Sequence, residues 1–270
     1  MTSILDPFFT PIAGRLRRGA LGVAIALGLL LTACGDGGAD ERPSDVGVAQ
    51  ATPDADDPST GEPAPGDETP AAPAIRIART DGEVTVRSDP APEAPVVAEL
   101  GATTSFGSPR ALLVTGDAPG YLQVQVPQRP NFLVGWVDES MVDVVAGSHW
   151  VTVDLDARTL RVVEDGETVL ETSVAVGAPD APTPIGTYAL VDRIQSTDPD
   201  GAYGPFALGL GAYSDTYSEF AGGDGQIGIH GTDDPSSIGQ ATSHGCVRVP
   251  NDVVRDLAEI LPLGTPVTIT

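Results

Sequence analysis

Ser243-His244-Gly245-Cys246-Val247-Arg248-Val249-Pro250-Asn251 opens the stretch that decides the fold, because the residues after it hold the one convincing helix of the chain and its closing strand. Asn251 or Asp252 is placed to cap that helix, Val254, Leu257, Ala258 and Leu261 fall on one face at helical spacing, and Pro262 with Gly264 ends it. Val267-Thr268-Ile269 then reads as a strand. Cys246 is the only cysteine downstream of the apolar N-terminal segment.

Working back from there, Trp150-Val151-Thr152-Val153-Asp154-Leu155, Leu160-Arg161-Val162-Val163 and Thr168 to Val176 read as strands, with Asp165-Gly166 as a hairpin turn between two of them. Residues 148–270 therefore predict a strand-rich, sandwich-like domain with one main helix near its C-terminus. Residues 74–147 show shorter alternating runs, among them Val84-Thr85-Val86, Ala111-Leu112-Leu113-Val114, Tyr121 to Val126 and Gly135-Trp136-Val137, punctuated by Gly and Pro. They predict a small all-β barrel or sandwich. The chain as a whole reads as mainly β, with no repeat at solenoid or propeller period.

Residues 34–73 are mostly Asp, Glu, Pro, Ala, Gly, Ser and Thr with Arg42 as the one basic residue, too polar to offset the entropy of ordering, and are expected to be a disordered acidic tether. Residues 1–33 have signal-peptide grammar: Arg15, Arg17 and Arg18 precede an apolar run from Gly19 to Ala33, shorter than the roughly 20 apolar residues of a span. Leu31-Thr32-Ala33-Cys34 resembles the lipobox of bacterial lipoproteins, which implies a lipid on Cys34. The expected location is the extracytoplasmic face of the cell membrane, lipid-anchored. In an exported chain a cysteine kept without a partner points to reactivity, and with Cys34 spoken for, Cys246 is that cysteine.

All 14 basic residues are arginine and the formal charge is −24. Without lysine the chain has no P-loop, no Schiff-base lysine and no Ser-x-x-Lys centre. Its acidity and lack of clustered cations speak against a nucleic-acid partner. No cofactor and no metal are expected.

A thiol at its ordinary pKa is a few per cent thiolate at neutral pH and needs a base or a positive field beside it. Two of the three histidines flank the cysteine in sequence. His230 ends the apolar run Gly228-Ile229-His230, as where a strand delivers a side chain to a pocket rim, and His244 would share a face with Cys246 if that stretch is extended. Spacing alone does not choose between them.

His230-Gly231-Thr232 followed by Ser243-His244-Gly245-Cys246-Val247-Arg248 resembles the signature of the bacterial L,D-transpeptidase catalytic domain. Thr183-Pro184-Ile185-Gly186-Thr187-Tyr188 and Tyr203-Gly204-Pro205 resemble further elements of that family in the same order, from Trp150 to the C-terminus. The order Val-Arg-Ser, Pro, Gly-Tyr-Leu-Gln-Val, Gly-Trp-Val in residues 74–147 is similar to the SH3-like module of many bacterial wall proteins, implying either wall binding or a packing partner for the next domain. The resemblance implies Cys246 as nucleophile, His230 as general base, the Gly231 carbonyl as the group that orients His230, and Ser243 and His244 as residues that shape the site. Backbone N–H groups at Gly245 and Cys246 would face the oxyanion. It also implies a thioester formed on a donor tetrapeptide stem of peptidoglycan and resolved by an acceptor amine into a 3→3 cross-link, with carbapenem-type β-lactams as inhibitors.

Arg248 reads either as a salt bridge at the start of the helix or as a contact to a substrate carboxylate. The region from Arg193 to Gly225, rich in Asp, Gly and Tyr, reads as a flap or a surface loop, with Tyr203, Tyr213 and Tyr217 as substrate contacts in the first case. Three other activities compete: an L,D-carboxypeptidase, if water resolves the thioester; a zinc-dependent wall peptidase on His230, His244 and Cys246; and a non-catalytic wall-binding lipoprotein.

Overall fold

The computed structural model describes residues 74–220 and 222–270. The signal segment, Cys34 and the acidic tether lie outside the described residues.

Short alternating runs become strands because β-branched side chains can fill one face of a pleated sheet while polar neighbours face water. In the first sheet these are β1 (Ile75–Thr80), β2 (Val84–Arg87), β3 (Val96–Leu100), β4 (Arg110–Ala118), β5 (Tyr121–Gln125), β6 (Val134–Asp138) and β7 (Asp143–Gly147). They pair antiparallel in the order β3-β2-β6-β5-β4-β1-β7. Ala78, Val86, Leu100, Leu112, Val124 and Val137, from six different strands, pack into one buried cluster, so the sheet curls around a core of its own.

The second sheet holds β8 (His149–Asp154), β9 (Thr159–Glu164), β10 (Glu167–Ser173), β12 (Gly186–Gln195), β13 (Phe206–Tyr213), β14 (Gln226–His230), β16 (Val247–Arg248) and β17 (Pro266–Ile269). Their order is β10-β9-β8-β17-β12-β13-β14-β16, and β11 (Val176–Gly177) with β15 (Ala241–Ser243) forms a separate parallel pair. The predicted turn is present, with Asp165 at φ 49° and Gly166 at φ 89° as a two-residue hairpin loop requires. The closing strand β17 lies parallel to β8 and antiparallel to β12, in mid-sheet, and the indole nitrogen of Trp150 donates to Thr268 Oγ1 at 3.0 Å.

Helix α1 (Asn251–Ile260) buries Val254, Leu257 and Ala258, with Leu261 just beyond it, against β13 and β14. Its cap differs from the expectation. Pro250 occupies the N-cap position with no side-chain cap bond, and the Asn251 side chain is instead turned to the Thr232 N–H, which donates to its Oδ1 at 2.7 Å.

The stretch from Arg193 to Gly225 is not one flap. β12 continues to Gln195, and Phe206–Tyr213 is an interior strand with Leu208, Leu210 and Ala212 fully buried. Gly209 and Gly211 made the segment read as loop. They are glycine because a Cβ would come within 2.9 Å of Asp192 Cβ at Gly209 and 3.2 Å of Pro127 Cβ at Gly211. Two loops remain, 196–205 and 214–225.

The first sheet packs on β12. The Gln125 amide donates to Thr187 O at 2.7 Å and accepts from Ala189 N at 2.8 Å, beside a small apolar cluster of Leu113, Ala189 and Val191 against Ile75.

Candidate active site

Cys246 and His230 are brought to one cleft because β16 lies parallel to β14, pairing Ile229 with Val247 and His230 with Arg248. Each side chain then sits at the C-terminal or N-terminal margin of its strand, and both line one cleft of about 320 Å³.

The chain reaches Cys246 through a tight turn rather than an extended stretch. Ser243 Oγ donates to Cys246 O at 2.5 Å and accepts from Gly245 N at 3.1 Å. Gly245 has φ 117°, and a Cβ there would lie 2.9 Å from Ile227 Cδ1, so both backbone and space require glycine. That geometry corrects two expectations. The Gly245 N–H is bonded to Ser243 Oγ, so it does not face the cleft unpaired and Gly245 shapes the turn. His244 is not aligned with Cys246 by an extended strand; it is exposed, its ring against Phe220 at 4.8 Å and Tyr217 at 5.9 Å.

His230 is 6% exposed, and its Nδ1 lies 2.6 Å from Gly231 O. With a carbonyl as partner, Nδ1 carries the proton and Nε2 is the basic nitrogen. Burial pushes the His230 pKa down to about 4; the bond to Gly231 O opposes the shift and the Arg248 cation adds to it. Burial raises the Cys246 thiol above its ordinary value, opposed by the Gly228 N–H and Arg248. The resting pair is therefore thiol and neutral imidazole. Tyr203 covers the His230 ring at 4.8 Å, and its own pKa is raised, first by burial.

The other motif residues act as struts. Thr183 Oγ1 accepts from Gly177 N at 2.8 Å, and Ala178 N donates to Ser243 O at 2.9 Å, so the Thr183 segment holds β11 against the strand that leads into the cysteine turn. Asn251 does the same for the histidine. Its Oδ1 receives the Thr232 N–H and leaves no room for a Cβ at either Gly204 or Gly231.

Arg248 lines the cleft and makes no salt bridge among the described residues; its Nε is buried without a partner. The salt-bridge reading is thereby replaced by a cation facing the cleft. Tyr213, expected as a substrate contact, is 8% exposed, with its hydroxyl donating to Pro127 O at 2.8 Å and Arg129 over its ring, so it belongs to the contact between the sheets. Tyr217 and Phe220, on the 214–225 loop, line the cleft with Cys246. A second cleft of about 530 Å³ also reaches Cys246 and His230, and Phe106 of the β3–β4 connection borders it. His149 is paired with Glu164 at 3.3 Å, away from these residues. Among the described residues no three His, Cys, Asp or Glu side chains are grouped as a metal-ligand set.

Sequence reasoning missed Gly228 and Asn251. The Gly-x-His spacing of Gly228 and His230 carried a signal for the first, since alternate residues of a strand share a face; Asn251 was absorbed by its reading as a helix cap.

A cysteine and a tautomer-fixed histidine thus line one cleft of a mainly β domain. Residues 148–269 match the model of the L,D-transpeptidase catalytic domain, YkuD. A Bacillus licheniformis protein named as an L,D-transpeptidase, YkuD, is 39% identical over 120 residues, 44% of this chain and 64% of that protein. The chain thus spans less than two thirds of that relative's length. A Bacillus subtilis protein named as an L,D-transpeptidase, YqjB, is 33% identical over 135 residues, 46% of this chain and 72% of that protein. The solved catalytic domain of an E. faecium L,D-transpeptidase is 25% identical, covering 45% of this chain and 96% of that one at a TM-score of 0.34. The chain belongs to the L,D-transpeptidase catalytic-domain family.

Proposed function

We propose that the chain is a peptidoglycan L,D-transpeptidase that forms 3→3 cross-links through a thioester on Cys246. The observation that carries this reading is the bond from His230 Nδ1 to Gly231 O, which leaves Nε2 as a base in the cleft that Cys246 lines. Cys246 Sγ attacks the carbonyl of the third residue of a donor tetrapeptide while its proton passes to His230 Nε2. The oxyanion meets the Cys246 N–H, the C–N bond to the terminal D-alanine breaks, and that amine leaves with the proton from His230. An acceptor amine then attacks the thioester, gives its proton to His230, and the thiol is restored. Because both groups rest neutral, the proton moves during attack and no stored thiolate is needed.

Arg248 supplies the cation for a stem carboxylate, consistent with an Nε that has no protein partner. The first sheet, read as SH3-like, serves as packing partner of the catalytic domain through Gln125 and the Leu113 cluster. Cys34 carries the lipid that holds the protein at the extracytoplasmic face of the membrane, and the acidic tether lets the catalytic head reach the wall. The reaction is tested by incubating the full chain with tetrapeptide stems and separating the products by mass. Joined stems with loss of one D-alanine are expected. Tripeptide alone would assign the site to an L,D-carboxypeptidase, and unchanged stems would remove the acyl-transfer reading.

A further inference from the structure

The 214–225 loop carries Tyr217 and Phe220 to the cleft, yet most of its backbone pairs with no strand. Its own ties are Ser214 N to Gly225 O at 2.8 Å, the reciprocal pair between Phe220 and Gly223 at 2.9 Å, and Ser214 Oγ accepting from the Thr216 and Tyr217 N–H groups. These bonds close the loop on itself and leave its place over the cleft undetermined.

The missing tie comes from the first sheet. Arg129, between β5 and β6, donates from Nη1 to Ser214 O at 2.9 Å and from Nη2 to Tyr217 O at 2.8 Å and Asp224 O at 3.0 Å. One guanidinium thus spans the start, the first turn and the end of the loop, a fork that no other side chain presents. Beneath it, the Arg129 carbon sits 5.2 Å from the Tyr213 ring centre, and the Asn131 amide exchanges two 2.8 Å bonds with the Tyr213 backbone where β13 enters the loop. Gly225, at φ 75°, is glycine where a Cβ would stand 2.9 Å from Arg129 Nη2.

We propose that Arg129, in the β5–β6 connection, is a positioning residue of the active site that holds the 214–225 loop, and with it Tyr217 and Phe220, against His244 at the mouth of the Cys246 cleft. The first sheet then acts on the reaction through one side chain, without touching the reacting atoms. The proposal rests on the acyl-transfer reading above and adds the group that sets the shape of its donor cleft.

The test compares the full chain with Arg129→Met, which keeps most of the length and stacking and removes all three donors. Backbone hydrogen exchange is followed across Ser214–Asp224, and saturation kinetics are measured with a tetrapeptide donor. Exchange in that loop is expected to rise about tenfold or more with the sheets unchanged, since several charge-assisted bonds are lost. KM for the donor should rise about fivefold or more with a smaller change in kcat, as for a lost cleft wall. Arg129→Lys, with one donor head in place of the fork, should fall between the two. Should Arg129→Met not fold, Asn131→Ala removes the neighbouring tie and carries the same expectation. Native-like exchange and native-like KM in the folded variant overturn the proposal, and so does a raised KM with unchanged loop exchange. If the native chain itself does not turn over stems, the acyl-transfer reading fails, while the loop exchange still decides whether Arg129 holds the loop.

Discussion

His230 and Cys246 are both driven toward neutrality by the same burial, and this sets the pH behaviour of the site. His230 in the folded protein titrates near pH 4 against an ordinary value of 6.5, so it is a free base above about pH 4. Acylation of Cys246 should therefore fall as pH drops through about 4, a limb readable from stopped-time mass measurements. For stability, the unfolded chain binds the His230 proton between pH 6.5 and about 4 while the folded chain does not. Folding stability from this group thus declines as pH falls through that window, by on the order of 3 kcal/mol, and is unaffected by it above pH 6.5. The raised Cys246 thiol predicts slow alkylation by iodoacetamide at neutral pH, slower than a free cysteine; rapid alkylation with a plateau below pH 7 would show a standing thiolate instead.

At the scale of elements, the cysteine turn and α1 hold Cys246 and His230 in place. Gly245→Ala forces a side chain into φ 117° and against Ile227, so a loss of about 1–3 kcal/mol in stability is expected with a larger loss of acylation rate. Asn251→Ala leaves the Thr232 N–H without its acceptor and should cost about 1–3 kcal/mol, with slowed acylation at unchanged cysteine content. The helix was legible because Val254, Leu257, Ala258 and Leu261 repeat at its period, and the β9–β10 hairpin because Asp165-Gly166 is a turn with a mechanism. Strand β13 was not, since glycines at 209 and 211 remove the branched side chains that announce a strand while serving close approach to Asp192 and Pro127. Cys246 and His230 stood out because few reactive side chains compete with them. Tyr213 was misplaced for a physical reason: a tyrosine beside a loop looks available until the sheet that buries it is known.

On the scale of the whole molecule, the first sheet is bound to the catalytic domain by polar groups as much as by apolar ones, and strand alternation carries no trace of such contacts. Gln125→Ala removes both bonds to the β12 backbone and should cost about 1–3 kcal/mol, measured by urea unfolding. The proposed lipid on Cys34 predicts incorporation of labelled fatty acid in the expressing bacterium and its loss in Cys34→Ser; label retained in that variant would place the anchor elsewhere. Central to the whole account is the acyl-transfer chemistry of one thiol. The most direct measurement is the intact mass of the folded, reduced full chain after incubation with a carbapenem. A gain of one carbapenem on the native chain and none on Cys246→Ala is predicted, and an unmodified native chain, or the same adduct on Cys246→Ala, would contradict it.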